Sequence, residues 1–250
     1  MEYSEATCTD LSIQKEVPRR RRHFLLDELR GLAVVAMVIF HAVFLLGVVF
    51  GNAAAMSWLR VISSSQPFIA GTFILVCGIC CRLSRSNVKR GLRIGGFAVA
   101  LTIGTFLITL IGIDQVIIFG VLHFLAVAIL LFCLARKALD KIPPLVQLPV
   151  FLALFFVMRF ITLPATQSLT LFILGFPSTA WRSADYFPLV PWLFLFLAGT
   201  AIGLWAECFP SWFDKPRCAP LRWAGRHAIW IYLAHQPVLY ALVMAWQWLT

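Results

Sequence analysis

Charge is scarce in this chain. Only 13% of its 250 residues are Asp, Glu, Lys or Arg, and just 11 of them are acidic. A soluble domain carries about 25% charged residues and is about 45–50% apolar, whereas this one is 61% hydrophobic. A soluble enzyme with a single core is excluded, as are a disordered chain and a collagen. Strict alternation of polar and apolar residues is also missing, which excludes a transmembrane barrel built from roughly 10-residue strands. The seven Cys are an odd number, mostly within or beside apolar segments, so they do not form a disulfide framework. Cys77, Cys80 and Cys81 lack a second Cys or His pair at ligand spacing. They read as small packing residues, and no metal is expected. Neither an internal repeat nor a second domain is visible.

Long apolar runs are what the sequence has in excess. A helix crosses the hydrocarbon with about 20 apolar residues. Seven such segments lie near 29–50, 66–83, 93–113, 117–135, 144–162, 188–206 and 228–249. The expected architecture is an all-α integral membrane protein with about seven transmembrane helices. Residues 1–23 form a polar basic tail, and 24–250 form one membrane domain. The stretch 169–176 is too short to span and is expected to lie at the outer interface or to re-enter.

The net charge of +10 does not point to nucleic acid, because the cations sit between the apolar runs. Lys15, Arg19 to Arg22 and Arg30 precede or open the first run. Arg82, Arg85, Lys89, Arg90 and Arg93 follow the second. Arg136, Lys137 and Lys141 follow the fourth, and Lys215, Arg217, Arg222 and Arg226 follow the sixth. If every run spans, all of these share one side, and only Arg60, Arg159 and Arg182 fall on the other. The positive side is cytoplasmic, so the N-terminus is expected inside and the C-terminus outside, with the bilayer as the first partner.

Ionisable groups within spanning segments are costly and point to function. In the first run Asp27, Arg30 and His41 fall on one helical face. Arg30 and His41 are about 20° apart in direction and about 16 Å apart along the axis. An arginine at the cytoplasmic mouth with a histidine deep on the same stripe suits an anionic substrate whose reactive end reaches inward. His123, in Gly120-Val121-Leu122-His123-Phe124, is a second neutral imidazole able to move a proton. Asp185 stands at the mouth of the sixth run, in Ser183-Ala184-Asp185-Tyr186-Phe187-Pro188. Arg226, His227, Tyr232, His235 and Gln236 lie along the start of the seventh run. Gly199-x3-Gly203 reads as close helix packing.

Four stretches together resemble the bacterial inner-membrane proteins related to the catalytic domain of heparan-α-glucosaminide N-acetyltransferase. They are Leu26-Asp27-x2-Arg30-Gly31-Leu32-Ala33-x3-Met37-x2-Phe40-His41, Phe119-Gly120-Val121-Leu122-His123-Phe124, Asp185-Tyr186-Phe187-Pro188-x2-Pro191-Trp192, and Gly225-Arg226-His227-x7-His235-Gln236-Pro237-Val238. The spacing in the first also resembles the first helix of the wider membrane acyltransferase superfamily. The resemblance implies acetyl or acyl transfer from a cytosolic acyl-CoA to a sugar amine or hydroxyl across the bacterial inner membrane, with a cell-envelope glycan or amino sugar as acceptor. Arg30, Arg82, Arg85, Lys89, Arg90 and Arg93 would attract the CoA phosphates. His41 or His123 would be the general base, and Asp185 would orient the base or bind the acceptor. Asp27, Arg226, His235 and Gln236 complete the polar set. The lysosomal enzyme carries its reactive histidine in its first luminal loop, whereas residues 51–65 here contain none. The rival reading is a carrier or permease for a small solute or a lipid-linked sugar. A homodimer is compatible with either.

Overall fold

The computed structural model describes residues 23–84, 86–110, 116–209 and 211–249. The tail expected over 1–23 therefore lies almost wholly outside the described residues, as does Arg85. Within them the protein is helical, and an isolated bridge between Thr166 and Ser178 is the only strand-like pairing. Ten α-helices follow one another: α1 Phe24–Phe44, α2 Ala53–Ile62, α3 Gln66–Leu83, α4 Asn87–Thr109, α5 Val121–Leu139, α6 Pro144–Phe160, α7 Leu169–Leu174, α8 Leu189–Ile202, α9 Ala219–Arg226 and α10 Ala228–Leu249.

Each of the seven apolar runs contains an α-helix. Among the described residues, five helical stretches are long and apolar enough to cross a membrane: Phe24–Val49, Ala53–Leu83, Asn87–Thr109, Val121–Leu139 and Ala228–Leu249. Pro144–Phe160 and Leu189–Trp205 are apolar but shorter. Two further helices, α7 and α9, join them, while α2 runs through 63–65 into α3. The connection at 51–65 is itself largely helical, because Asn52 caps α2 by accepting the Ala55 N–H at 2.9 Å. Residues 169–174 form the six-residue α7, and α9 precedes the last long helix.

One boundary differs from the sequence expectation. The run beginning at 117 becomes helical only at Val121. Residues 116–120 instead pair with 183–187. Ala184 N–H donates to Val116 O at 2.9 Å and Phe187 N–H to Phe119 O at 3.2 Å. The Ser183 hydroxyl oxygen accepts from the Ile118 and Phe119 amides and donates to Asp185 O at 2.7 Å. The apolar segment 116–120 and the polar Ser183–Phe187 thus satisfy part of each other's backbone instead of extending α5 and α8.

Glycine sets the helix spacing. A Cβ on Gly78 would overlap Phe196 O, and one on Gly199 would overlap Leu75 O, so α3 and α8 meet backbone to backbone. Phe124, Phe132, Phe196, Ile74 and Ile129 fill the space beside them. At one end of the bundle Arg82 is buried. Its guanidinium pairs with Asp140, donates to Thr200 O at 3.1 Å and lies 4.8 Å from the centre of the Phe132 ring. Glu28 is buried and accepts the amides of Arg217 and Cys218, at 2.7 and 2.9 Å, so it ties α1 to the two residues that lead into α9.

Candidate functional site

The first polar group forms where α1 crosses α9. Gly31 and Gly225 face one another, and neither has room for a Cβ: one on Gly31 would strike Leu221 O, one on Gly225 would strike Asp27 O. The residue beside each glycine reaches across. Arg30 donates to Gly225 O at 3.3 Å, and Arg226 lies 3.8 Å from Asp27 Oδ2. Arg30 also contacts Asp27 Oδ1 at 3.4 Å and Cys80 Sγ at 2.9 Å, and its Nε is buried without a partner. Arg30-Gly31 and Gly225-Arg226 are therefore reciprocal halves of one crossing.

Along the same face of α1, His41 meets His235 of α10. The ring centres are 5.0 Å apart, at 70°. His41 Nδ1 lies 2.9 Å from Met37 O, and His235 Nδ1 lies 2.6 Å from Tyr232 O. A carbonyl only accepts, so each Nδ1 carries the proton. In each neutral ring Nε2 then holds the lone pair. His235 is 8% exposed, and its Nε2 is buried without a partner.

Tyr232, one turn before His235, joins this pair to the third group. Its hydroxyl donates to Asp185 Oδ2 at 2.6 Å. The same oxygen accepts the Val121 amide at 3.0 Å, at the N-terminus of α5, where an anion is favoured. A Cβ on Gly120 would sit 2.5 Å from that carboxylate, which accounts for the glycine. His123, in the first turn of α5, lies alongside. The Thr102 hydroxyl donates to Ile117 O at 2.8 Å, so it accepts from His123 Nε2 at 2.9 Å. His123 Nδ1 in turn accepts the Gly120 amide at 3.3 Å. Both nitrogens of His123 are occupied, whereas Nε2 of His41 and of His235 can still accept a proton. Tyr186, next to Asp185, is turned away. Its hydroxyl donates to Phe172 O at 2.6 Å, and burial pushes its phenol up to about 12.

The candidate residues therefore separate into groups. His41, His235 and Asp185 come together through Tyr232, with His123 behind Asp185. Asp27, Arg30 and Arg226 form the crossing below. Lys89 and Arg93 are exposed on the first turns of α4, Arg90 is half-buried, and Arg82 stands apart with Asp140. Gln236 is half-buried, one residue beyond the pair. Tyr232 is the connecting residue that sequence spacing undervalued. Its only signal was its place one turn before His235. Asp140 and Glu28 gave no signal, because a carboxylate near a helix end reads as an ordinary charge. Among the described residues no three His, Cys, Asp or Glu side chains gather as a metal-ligand set.

No curated protein and no solved structure matches the chain. The family model described as heparan-alpha-glucosaminide N-acetyltransferase, catalytic, matches residues 22–237 and so takes in the α1–α9 crossing, His41, His123, Asp185, Tyr232 and His235. With its apolar helices, the chain belongs to this membrane acetyltransferase family.

Proposed function

We propose that the protein transfers an acyl group from acyl-CoA to an amine or hydroxyl on a sugar acceptor, with His41 as the general base. The single observation that carries the reading is the orientation of His41. Met37 O fixes its Nδ1 proton, so Nε2 presents a lone pair beside His235. In the reaction His41 Nε2 takes the acceptor's proton as its N or O attacks the thioester carbonyl. The C–S bond breaks, and the proton passes to the departing CoA sulfur. Asp185 and Tyr232 hold the acceptor side of the site.

Arg30 lies about 16 Å below His41 on the same face, which suits a pantetheine arm running along α1 towards the histidine pair. The exposed Lys89 and Arg93, with Arg90, are the best-placed cations for the CoA phosphates. Arg30 and Arg82 already hold structural partners, and their part is to keep the entrance in shape. On this reading the donor enters from the cytoplasm of a bacterial cell and the acceptor is met on the far side of its inner membrane.

The test is CoA release from labelled acetyl-CoA by detergent-purified protein, against a panel of amino sugars and oligosaccharides. Acceptor-dependent release should fall about 10²- to 10⁴-fold in His41→Gln, the range that proton transfer by a placed base contributes. Undiminished release in that variant would remove His41 from the mechanism. No release and no saturable acetyl-CoA binding, with solute flux into proteoliposomes lacking CoA, would establish a carrier instead.

A further inference from the structure

At the end of the bundle where α8 begins lies a cavity of about 410 Å³ whose lining includes none of His41, His123, Asp185, Tyr232 and His235. It is bounded by the start of α3, the end of α6 and the segment entering α8, and its wall includes Gln66, Ala70, Met158, Arg159, Thr162 and Trp192. It falls in the size range of a small-ligand pocket. Arg159 is its sole charged lining residue, and among the described residues no carboxylate pairs with that arginine. Arg159 is also set in an apolar surface. Phe156, Val157 and Ile161 beside it are exposed, and Phe160 is 83% exposed. An arginine in the last turn of a helix is electrostatically ordinary. One that is exposed on a face otherwise made of Phe, Val and Ile, beside a cavity, is placed to meet a phosphate at the level of lipid headgroups.

We infer that this cavity receives the head of a lipid-borne acceptor, a sugar joined to a lipid through phosphate. The phosphate rests on Arg159, the lipid chain lies along the exposed face of α6, and the sugar enters between Gln66, Thr162 and Trp192. The segment that walls the cavity, Tyr186 to Trp192, continues directly from Asp185. The wall of the cavity thus begins at the residue next to Asp185, whose carboxylate accepts the Tyr232 hydroxyl. The word acceptor rests on the acyl-transfer reading, but the binding does not.

Native mass spectrometry of the purified full chain, without acyl-CoA, tests this with three probes: a polyprenyl monophosphate, the matching polyprenol, and glucose 1-phosphate. The expected result is one saturable polyprenyl phosphate per protein, weakened at least about tenfold in Arg159→Gln, with weaker binding of both other probes. Ala70→Phe, which fills the cavity and leaves Arg159 in place, should also abolish it, with helicity unchanged by circular dichroism. Equal binding in Arg159→Gln would overturn the site. So would equal binding of the neutral polyprenol, which would show a greasy surface only. Glucose 1-phosphate binding as tightly as the lipid would overturn the lipid-borne acceptor. Absence of CoA turnover leaves each of these outcomes readable and counts against the transfer reading alone.

Discussion

At the scale of single residues, the site divides histidines by what their nitrogens already do. His123 is held on both sides, by Thr102 and by the Gly120 amide, so neither of its nitrogens is open to an acceptor's proton. His123→Gln should therefore leave more activity than His41→Gln in the CoA-release assay, and a reversed order would reassign the base. Tyr232 can be tested apart from the histidines. Tyr232→Phe keeps the ring against His235 and removes only the 2.6 Å hydrogen bond to Asp185. A hydrogen bond to a charged group contributes about 1.5–3 kcal/mol. The variant should therefore lose about 10- to 150-fold in kcat/KM for the acceptor. An unchanged acceptor KM and kcat would show that Asp185 needs only the Val121 amide. These roles were only partly legible in the sequence. His41 stands out as a polar residue inside an apolar run, and its face follows from helical periodicity. Its partner does not, because His235 lies on another helix and no local period says which helix faces α1.

Helices extend the same reasoning to the α1–α9 crossing. Arg30-Gly31 and Gly225-Arg226 stand in the sequence as motif positions whose chemistry is carried by the cations, and the glycines prove to be what lets the two backbones touch. Ala in a helix interior is favoured over Gly by about 1 kcal/mol. Overpacking a tight contact costs about 1–3 kcal/mol. A Cβ at Gly31 or Gly225 meets backbone atoms, which cannot swing aside as a side-chain tip can. The second effect should win. Gly31→Ala and Gly225→Ala are expected to lower the thermal midpoint in detergent. Gly96→Ala in α4 is the control, since a Cβ there meets nothing within 4 Å. It should be neutral or stabilising by up to about 1 kcal/mol. The helices themselves were the most legible feature, because apolar runs of this length have few alternatives. What periodicity hid were the stops: α5 starts late because residues 116–120, themselves largely apolar, are hydrogen-bonded to 183–187.

For the whole molecule, the open quantity is how the two shorter helices relate to the bilayer. α6 has 17 residues, roughly 25 Å of helix, and α8 has 14, roughly 21 Å, against about 30 Å of hydrocarbon. Non-helical backbone at membrane depth is tolerated where protein satisfies it or where it lines a cavity. The segment entering α8 meets that condition, since the Ala184 and Phe187 amides and the Ser183 hydroxyl all bond to residues 116–119 or to Asp185. A shortened α8 can thus complete a crossing with Asp185 held just before it by the Val121 amide and the Tyr232 hydroxyl. On this account both short helices cross, the count is seven, and the chain ends lie on opposite faces. If just one of them crossed, the count would be six and both ends would share a face. Reporter fusions after Thr250 separate the two. With the basic connections cytoplasmic, alkaline phosphatase at the C-terminus should be active and a green fluorescent fusion dark. The reverse pattern would fold one short helix back on its own side. It would also place Asp185 and the histidine pair in a different relation to the two solutions than a transfer across the membrane requires.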